Sequence, residues 1–445
     1  MKAIITSSIV KKSLKNMLKT SKRNISKVVK DKLCTGCGIC YDACPHKAIT
    51  INISKQLYTP SVAEELCTDC GLCLKICPGK GIELAKFTKS LFDESEMKVD
   101  PFIGSYINCY AGYSNNHDIR FHSASGGALS HFLIYLLDKK IINGAVVTGY
   151  LKDNPTQTSP YIATNAQEVF NAKSSKYCPV SLGGIVSQIK KSEGKYIIVG
   201  LPCHIHGLRK LEQTDRNLKR KILGYFALYC SGTRLYLSQD YLFMKYNIQR
   251  KKIKTFTYRD DGCLGFLKVT FNNNGSTVKV PYKDYYLSMR GFFTPPRCSL
   301  CIDHYGELSD VSFGDLHVDK YAKDNVGISS VVTRNKLFEN YLKLAVKEQY
   351  LTLKPITPAT LNKSQTFVTR SKKGNGAKTA FTLSKLLGKK LPDYDVSVNA
   401  RVTFQSTIRY FANVTFRQIG RIPQLWFLIN ILDKIGLVLT NGRRR

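Results

Sequence analysis

Cys34-Thr35-Gly36-Cys37-Gly38-Ile39-Cys40-Tyr41-Asp42-Ala43-Cys44-Pro45 and Cys67-Thr68-Asp69-Cys70-Gly71-Leu72-Cys73-Leu74-Lys75-Ile76-Cys77-Pro78 are two copies of one pattern. Each reads C-x2-C-x2-C-x3-C-P. Three thiolates at this spacing wrap a tight loop around three corners of an iron–sulfur cube, and the proline after the fourth halts the chain and sets that thiolate's approach. Gly36, Gly38 and Gly71 let the backbone close to the sulfides, where its N–H groups can donate to them.

In the bacterial two-cluster ferredoxin pattern, which these runs resemble, the fourth cysteine of each run ligates the other run's cluster. The expectation is therefore one [4Fe-4S] cluster on Cys34, Cys37, Cys40 and Cys77, and a second on Cys67, Cys70, Cys73 and Cys44. Zinc is the competing ion, but its four-cysteine sites are usually paired C-x2-C knuckles rather than two complete four-cysteine runs. Residues 31–86 are read as an α+β ferredoxin domain that carries electrons singly and has no substrate pocket of its own.

Composition supports metal over disulfides. Fifteen cysteines lie in 445 residues, eight of them between Cys34 and Cys77. The apolar stretch Ala3–Val10 is short and broken by Thr6, Ser7 and Ser8, unlike a secretion signal, so clustered thiols point to a reducing, cytoplasmic interior. The net charge is +35, from 67 basic and 32 acidic residues. This excess is spread along the chain without a helix-turn-helix, zinc finger or RNA-stacking motif, which argues against nucleic acid. It suits an acidic redox protein, such as a ferredoxin or a partner subunit, or an anionic membrane surface.

After a charged linker (87–110), apolar patterning changes to alternating strands and helices. Gly126–Leu137, Ala166–Lys173 and Leu182–Ile189 read as helices, and Gly144–Tyr150, Lys195–Gly200 and Ile222–Tyr229 as buried strands. Phe266–Phe271 and Thr277–Val280 flank an Asn-Gly turn and read as a hairpin. An α/β domain with a mainly parallel sheet follows, its ligands beyond the carboxyl ends of the strands. Cys203 and Cys230 fall at two such ends, and Cys298-x2-Cys301 could complete a four-thiolate site with them. The alternative reading makes Cys203 and Cys230 small buried hydrophobes.

These stretches resemble the beta subunits of coenzyme F-420-reducing hydrogenase and dehydrogenase. The resemblance rests on His122-Ser123-Ala124-Ser125-Gly126-Gly127-Ala128, Ser175-Lys176-Tyr177, Gly200-Leu201-Pro202-Cys203-His204 through Gly207-Leu208-Arg209, Cys230-Ser231-Gly232, and Cys298-x2-Cys301 leading into Glu307–Asp315. It divides the body into an N-terminal region (111–195) and a C-terminal region (196–360). It implies a noncovalent FAD, with Ser123, Ser125, Gly126, Gly127, Lys176, Tyr177, Gly200, Pro202, His204, Arg209, Gly314 and Asp315 as flavin-site candidates. It also implies a third [4Fe-4S] cluster on Cys203, Cys230, Cys298 and Cys301. The chain departs from the family in two places. His204 replaces the common Gln after Pro-Cys, and Asp261–Gly265 lacks the Trp-Pro of many members, Trp426 being the chain's one tryptophan.

The expected function is an iron–sulfur flavoprotein oxidoreductase, passing electrons between the ferredoxin clusters and FAD to reduce or oxidise an organic substrate of unknown identity. His204, His206 and Tyr177 are the proton-donor candidates. The alternatives are a non-catalytic relay subunit, or an accessory component of polysaccharide synthesis, against which the full set of twelve ligands argues. Cys109, Cys178 and Cys263 are read as ordinary thiols. Residues 1–30 form a basic arm with eight lysines, Arg23 and no acid. Residues 361–445 form a basic extension whose Pro423–Leu439 segment is read as an amphipathic helix, either for peripheral contact at the inner face of a membrane or packed on the core or a partner subunit.

Overall fold

The computed structural model describes residues 23–434 except 55, 273, 274 and 322. Most of the expected basic arm, and the end of the expected C-terminal helix, lie outside them. The ferredoxin segment repeats its own architecture. Gly38 (φ 80°) starts the short helix Ile39–Ala43, which carries Cys40, and Gly71 (φ 77°) starts Leu72–Lys75, which carries Cys73. Between them Ile49–Ser54 pairs antiparallel with Leu57–Val62.

The body is built on an eight-stranded sheet in the order Leu351–Pro355, Asn108–Ser114, Ser329–Thr333, Val311–Asp315, Ile222–Leu228, Tyr196–Gly200, Gly144–Tyr150, Thr158–Ala163. Helices cover both faces, and Ala145, Val146, Ile197, Ile198, Phe226 and Val311 fill the core with almost no exposure. The sheet is mixed, not mainly parallel. Its centre, from Val311–Asp315 to Gly144–Tyr150, is parallel. Both flanks are antiparallel, because their connections do not all carry the helical crossover that parallel pairing requires; Gly144–Tyr150 returns as Thr158–Ala163 through one short turn.

The span 87–110 is not a bare linker. It contains the end of the helix Leu84–Leu91, a small hairpin (Lys98–Asp100 with Gly104–Tyr106) and the start of the sheet strand Asn108–Ser114. A second lobe holds the three-stranded sheet Ile253–Asp260, Phe266–Phe271 and Thr277–Pro281 and the helix Tyr282–Phe292. The C-terminal extension adds helices Thr366–Lys373, Asn375–Leu386, Phe404–Arg421 and Trp426–Lys434, and its Asp393–Tyr394 pairs with Gly81–Ile82 of the ferredoxin segment.

That segment is docked firmly on the body. Leu182 N–H donates to Cys37 O at 2.9 Å. The Asp42 carboxylate accepts from Gly184 N at 2.9 Å and Ser187 N at 3.1 Å, capping the helix Ile185–Lys191. A Cβ on Gly38 would fall 2.1 Å from Ser181 Oγ, so only glycine allows this approach.

Candidate functional site: three thiol groups and a cleft

The eight ferredoxin cysteines separate into two groups. Cys44, Cys67, Cys70 and Cys73 line one small cavity together with Asn24 and Asp69, and Cys70 is exposed. The other four are more enclosed: burial pushes Cys34 up to about 12 and Cys77 up to about 11, and Cys37 adds to both rises. Cys40 rises for the same reason, and Cys37, Cys77, Cys34 and, from the other group, Cys73 add to the rise. Four thiolates crowded away from water are unfavourable alone, so this donor set suits a cationic iron core that offsets both burial and mutual repulsion.

Cys203 sits at the start of the helix Pro202–Glu212, just past the strand Tyr196–Gly200, and Cys230 follows the adjacent parallel strand Ile222–Leu228. Cys298 and Cys301 come from the turn at Pro296–Leu300. The structure brings these four together. Burial raises Cys203 well above the ordinary thiol value, and Cys37, Cys230, Cys301 and Cys298 all add to the rise. Cys37 belongs to the inner ferredoxin group, so the two thiol groups lie within electrostatic reach. The contact is direct at Gly207, one helical turn beyond Cys203, where an added Cβ would lie 3.1 Å from Ile39 Cγ1.

Two buried cations serve this region. Arg297 (3% exposed) donates to Gly79 O at 3.0 Å, Pro78 O at 3.1 Å and Leu300 O at 3.0 Å, tying Cys77's loop to that of Cys298 and Cys301. Lys372 (4% exposed) donates to Cys298 O at 3.0 Å; burial works to lower it, yet Cys301, Cys298 and Cys230 hold it raised. Gly232 N–H points at Cys230 Sγ from 3.3 Å, the kind of donor that steadies a thiolate.

From Cys230 an aromatic wall leads to a cleft. Ser231 Oγ lies 3.5 Å from Tyr286 Oη. The Tyr286 ring is 4.8 Å from Tyr177 and 4.6 Å, stacked, from Tyr282. Tyr282 lines a cleft of about 450 Å³ with Phe121, Asp261, Cys263, Gly265 and Lys283 among its other walls. That volume is in the range of small-molecule and cofactor sites. Arg259 braces it from beneath: it is 1% exposed, donates to Leu264 O at 2.8 Å and Asp315 Oδ2 at 2.7 Å, and lies 4.9 Å from the Tyr282 ring. The Arg259 guanidinium and His317 hold Asp315 below the usual carboxylate range against the opposing effect of burial. The Phe121 and Tyr282 rings and the Lys283 side chain are the cleft groups that could hold a planar cofactor.

The sequence-predicted residues scatter around this arrangement. Tyr177, Asp315 and the Ser123–Gly127 turn lie near the cleft, the turn behind its Asn325–Val326 wall. Its hydroxyls are already committed, Ser123 to Ile119 O and Ser125 to Ile328 O, and Gly127 (φ 71°) opens the helix Ala128–Asp138. Lys176 turns its ammonium onto the carbonyls of Ala172, Lys173 and Ser174, and burial lowers it to about 7.

Pro202 begins Cys203's helix, and Gly200 permits the close approach of His204. His204 accepts from Leu201 N at 3.1 Å and donates to Val180 O at 3.2 Å; burial lowers it to about 4, so it is a neutral bracket. His206 pairs with buried Asp303 at 2.9 Å. Arg209 pairs with Asp310 at 2.9 Å, and Gly314 leaves room for the Tyr229 ring. His122, Asp260 and Asp261 also converge, but Asp261 is already matched by Lys279 at 2.6 Å and Lys268 at 3.0 Å. Sequence reading missed Lys372, Arg259, Tyr282 and Tyr286.

Residues 109–189 and 193–359 match family models described as the N-term and C terminus of the coenzyme F-420 hydrogenase/dehydrogenase beta subunit, and residues 33–81 match a 4Fe-4S dicluster domain. The coenzyme F-420 hydrogenase subunit beta of Methanosarcina barkeri is 22% identical over 58% of this chain and 84% of its own length. The corresponding beta subunit of Methanothermobacter thermautotrophicus is 26% identical over 57% of this chain and 86% of its own. Among solved structures, a chain of the F-420-reducing [NiFe] hydrogenase complex from Methanosarcina barkeri superposes with a TM-score of 0.51 and 22% identity, covering 66% of this chain and 98% of that one, a likeness of fold.

Proposed function

Because the chain belongs to the coenzyme F-420 hydrogenase/dehydrogenase beta-subunit family, we propose that it is an iron–sulfur flavoprotein subunit that links one-electron carriers to a two-electron organic substrate. Cys67, Cys70, Cys73 and Cys44 would hold the outer [4Fe-4S] cluster, Cys34, Cys37, Cys40 and Cys77 the inner one, and Cys203, Cys230, Cys298 and Cys301 a third. FAD would lie in the cleft. Such clusters carry single electrons and a flavin exchanges electrons in pairs.

The observation that carries this reading is the continuity of the three thiol groups with the cleft. Cys70 faces solvent at one end, Cys37 lies within electrostatic reach of Cys203 in the middle, and Ser231, Tyr286 and Tyr282 line the other end. The protein's own part is to hold and tune. Arg297 fixes the two inner cysteine loops against each other. Lys372 supplies positive charge where thiolates accumulate. Tyr282 and Phe121 would orient a flat ring and keep water from its face. The exposed outer end favours an acidic redox protein or partner subunit as the electron donor or acceptor, given the charge of +35.

The test is anaerobic reduction of the purified, cofactor-loaded chain by dithionite, followed by visible absorption. The proposal expects bleaching of the cluster bands together with the flavin bands, and FAD retention that falls in Y282A. A protein that binds no FAD on reconstitution, with clusters intact, would instead be a relay subunit.

A further inference from the structure

The strongest unabsorbed feature lies outside the residues matched by the family models. The helix Asn375–Leu386 ends in an ordered turn in which Leu387, Gly388 and Lys389 N–H donate to Leu383, Lys385 and Ser384 O, each at 3.0 Å. Gly388 takes φ +66°, and a side chain there would meet nothing within 4 Å, so the turn projects freely. Every residue of Lys385-Leu386-Leu387-Gly388-Lys389-Lys390 is exposed. Leu386 is 77% exposed at the tip of a rigid turn.

The helix Phe404–Arg421 packs beside it, with Ser384 Oγ and Lys389 Nζ 3.2 Å and 3.3 Å from Tyr410 Oη. Its solvent-facing stripe begins with Phe404 (83% exposed), Ile408 and Phe411, one and two turns apart. The same stripe becomes polar further along, at Thr415 and Gln418. Thr379 Oγ1 meets Ser406 Oγ at 2.6 Å just as Ser384 meets Tyr410, so the two helices run side by side in the same direction, the leucine tip level with the turn of Phe411 and with Ile408 and Phe404 set back along the helix.

Charge selects the occupant of this face. No acidic residue occurs between Asp395 and Asp433, and Lys385, Lys389, Lys390 and Arg401 adjoin the apolar residues along the chain. A projecting leucine pair flanked by lysines is suited to enter a soft anionic surface. No helix among the described residues is long and apolar enough to cross a membrane. We infer that this face docks the protein peripherally on an anionic phospholipid surface, with Leu386, Leu387, Phe404, Ile408 and Phe411 at the headgroup–acyl boundary and the lysines and Arg401 on lipid phosphates.

The test is flotation of the cofactor-loaded full chain with vesicles of phosphatidylcholine alone or mixed with phosphatidylglycerol. Binding is expected only to the mixed vesicles, weakening with salt. L386S/L387S and F404S/F411S should each lower the partition coefficient at least about tenfold, from the apolar area each withholds. Unchanged iron content and visible absorption would show that the variants remain folded. Equal binding to both vesicles, or equal binding by the variants, would overturn the inference. So would a wild-type dimer in light scattering that these variants dissociate without any vesicle binding, since the patch would then be a contact between copies.

Discussion

Replacing Arg259 by Gln tests whether the cleft floor is held electrostatically. Removing one partner of a buried ion pair costs about 3–5 kcal/mol when the remaining charge is sealed from water. Here Asp315 keeps 25% side-chain exposure and a second contact to His317 at 3.4 Å, which places the loss at the lower end, about 3 kcal/mol. Losing the cation beside the Tyr282 ring adds about 0.5–1 kcal/mol.

The readout is anaerobic urea unfolding of cofactor-loaded protein, followed by Trp426 fluorescence. Trp426 is buried (4% exposed) in the same apolar cluster as Tyr258, with Tyr177 and Tyr282 packed against it. A double-mutant cycle with D315N should return a coupling of about 2 kcal/mol, because neutralising the stranded carboxylate relieves most of the damage. A loss below about 1 kcal/mol in R259Q, or strict additivity of the two changes, would refute the reasoning.

Three further outcomes are expected. Gly38→Ala places a Cβ 2.1 Å from Ser181 Oγ and 2.6 Å from Gly183 N, at φ 80°, so it should loosen the ferredoxin segment and speed proteolysis between residues 31 and 86. Burial lowers Lys176 to about 7, so the folded chain binds fewer protons than the unfolded chain between pH 7 and about 10.4. Its contribution to stability therefore rises with pH across that window, and K176M should remove the rise from paired urea titrations. Lys372→Met, which removes the buried charge facing Cys301, Cys298 and Cys230, should shift one iron–sulfur EPR signal to lower potential while leaving the other two in place.

Much of the redox core is legible in the sequence because its determinants are local. A C-x2-C-x2-C-x3-C-P run encodes its own loop, and the apolar runs at Tyr196–Gly200 and Ile222–Leu228 put Cys203 and Cys230 side by side once they pair in parallel. The strands that follow Cys301 are harder to read. Val311–Asp315 and Ser329–Thr333 are short and hold buried serines at 312, 329 and 330, so they lack the apolar signature of central strands. Asn108–Ser114 lies partly in what reads as a linker. Tyr282, Tyr286 and Lys372 are illegible for another reason: they come from segments distant from Tyr177 and the cysteines they meet, and nothing local separates Lys372 from the other lysines of the chain.

The most direct test of the central claim is iron and acid-labile sulfide per chain after anaerobic purification, for wild type and for C298A/C301A. Three clusters require about twelve of each in wild type, falling to about eight in the variant. About eight in the wild type, unchanged by the double substitution, would contradict the third cluster and break the proposed route to the cleft.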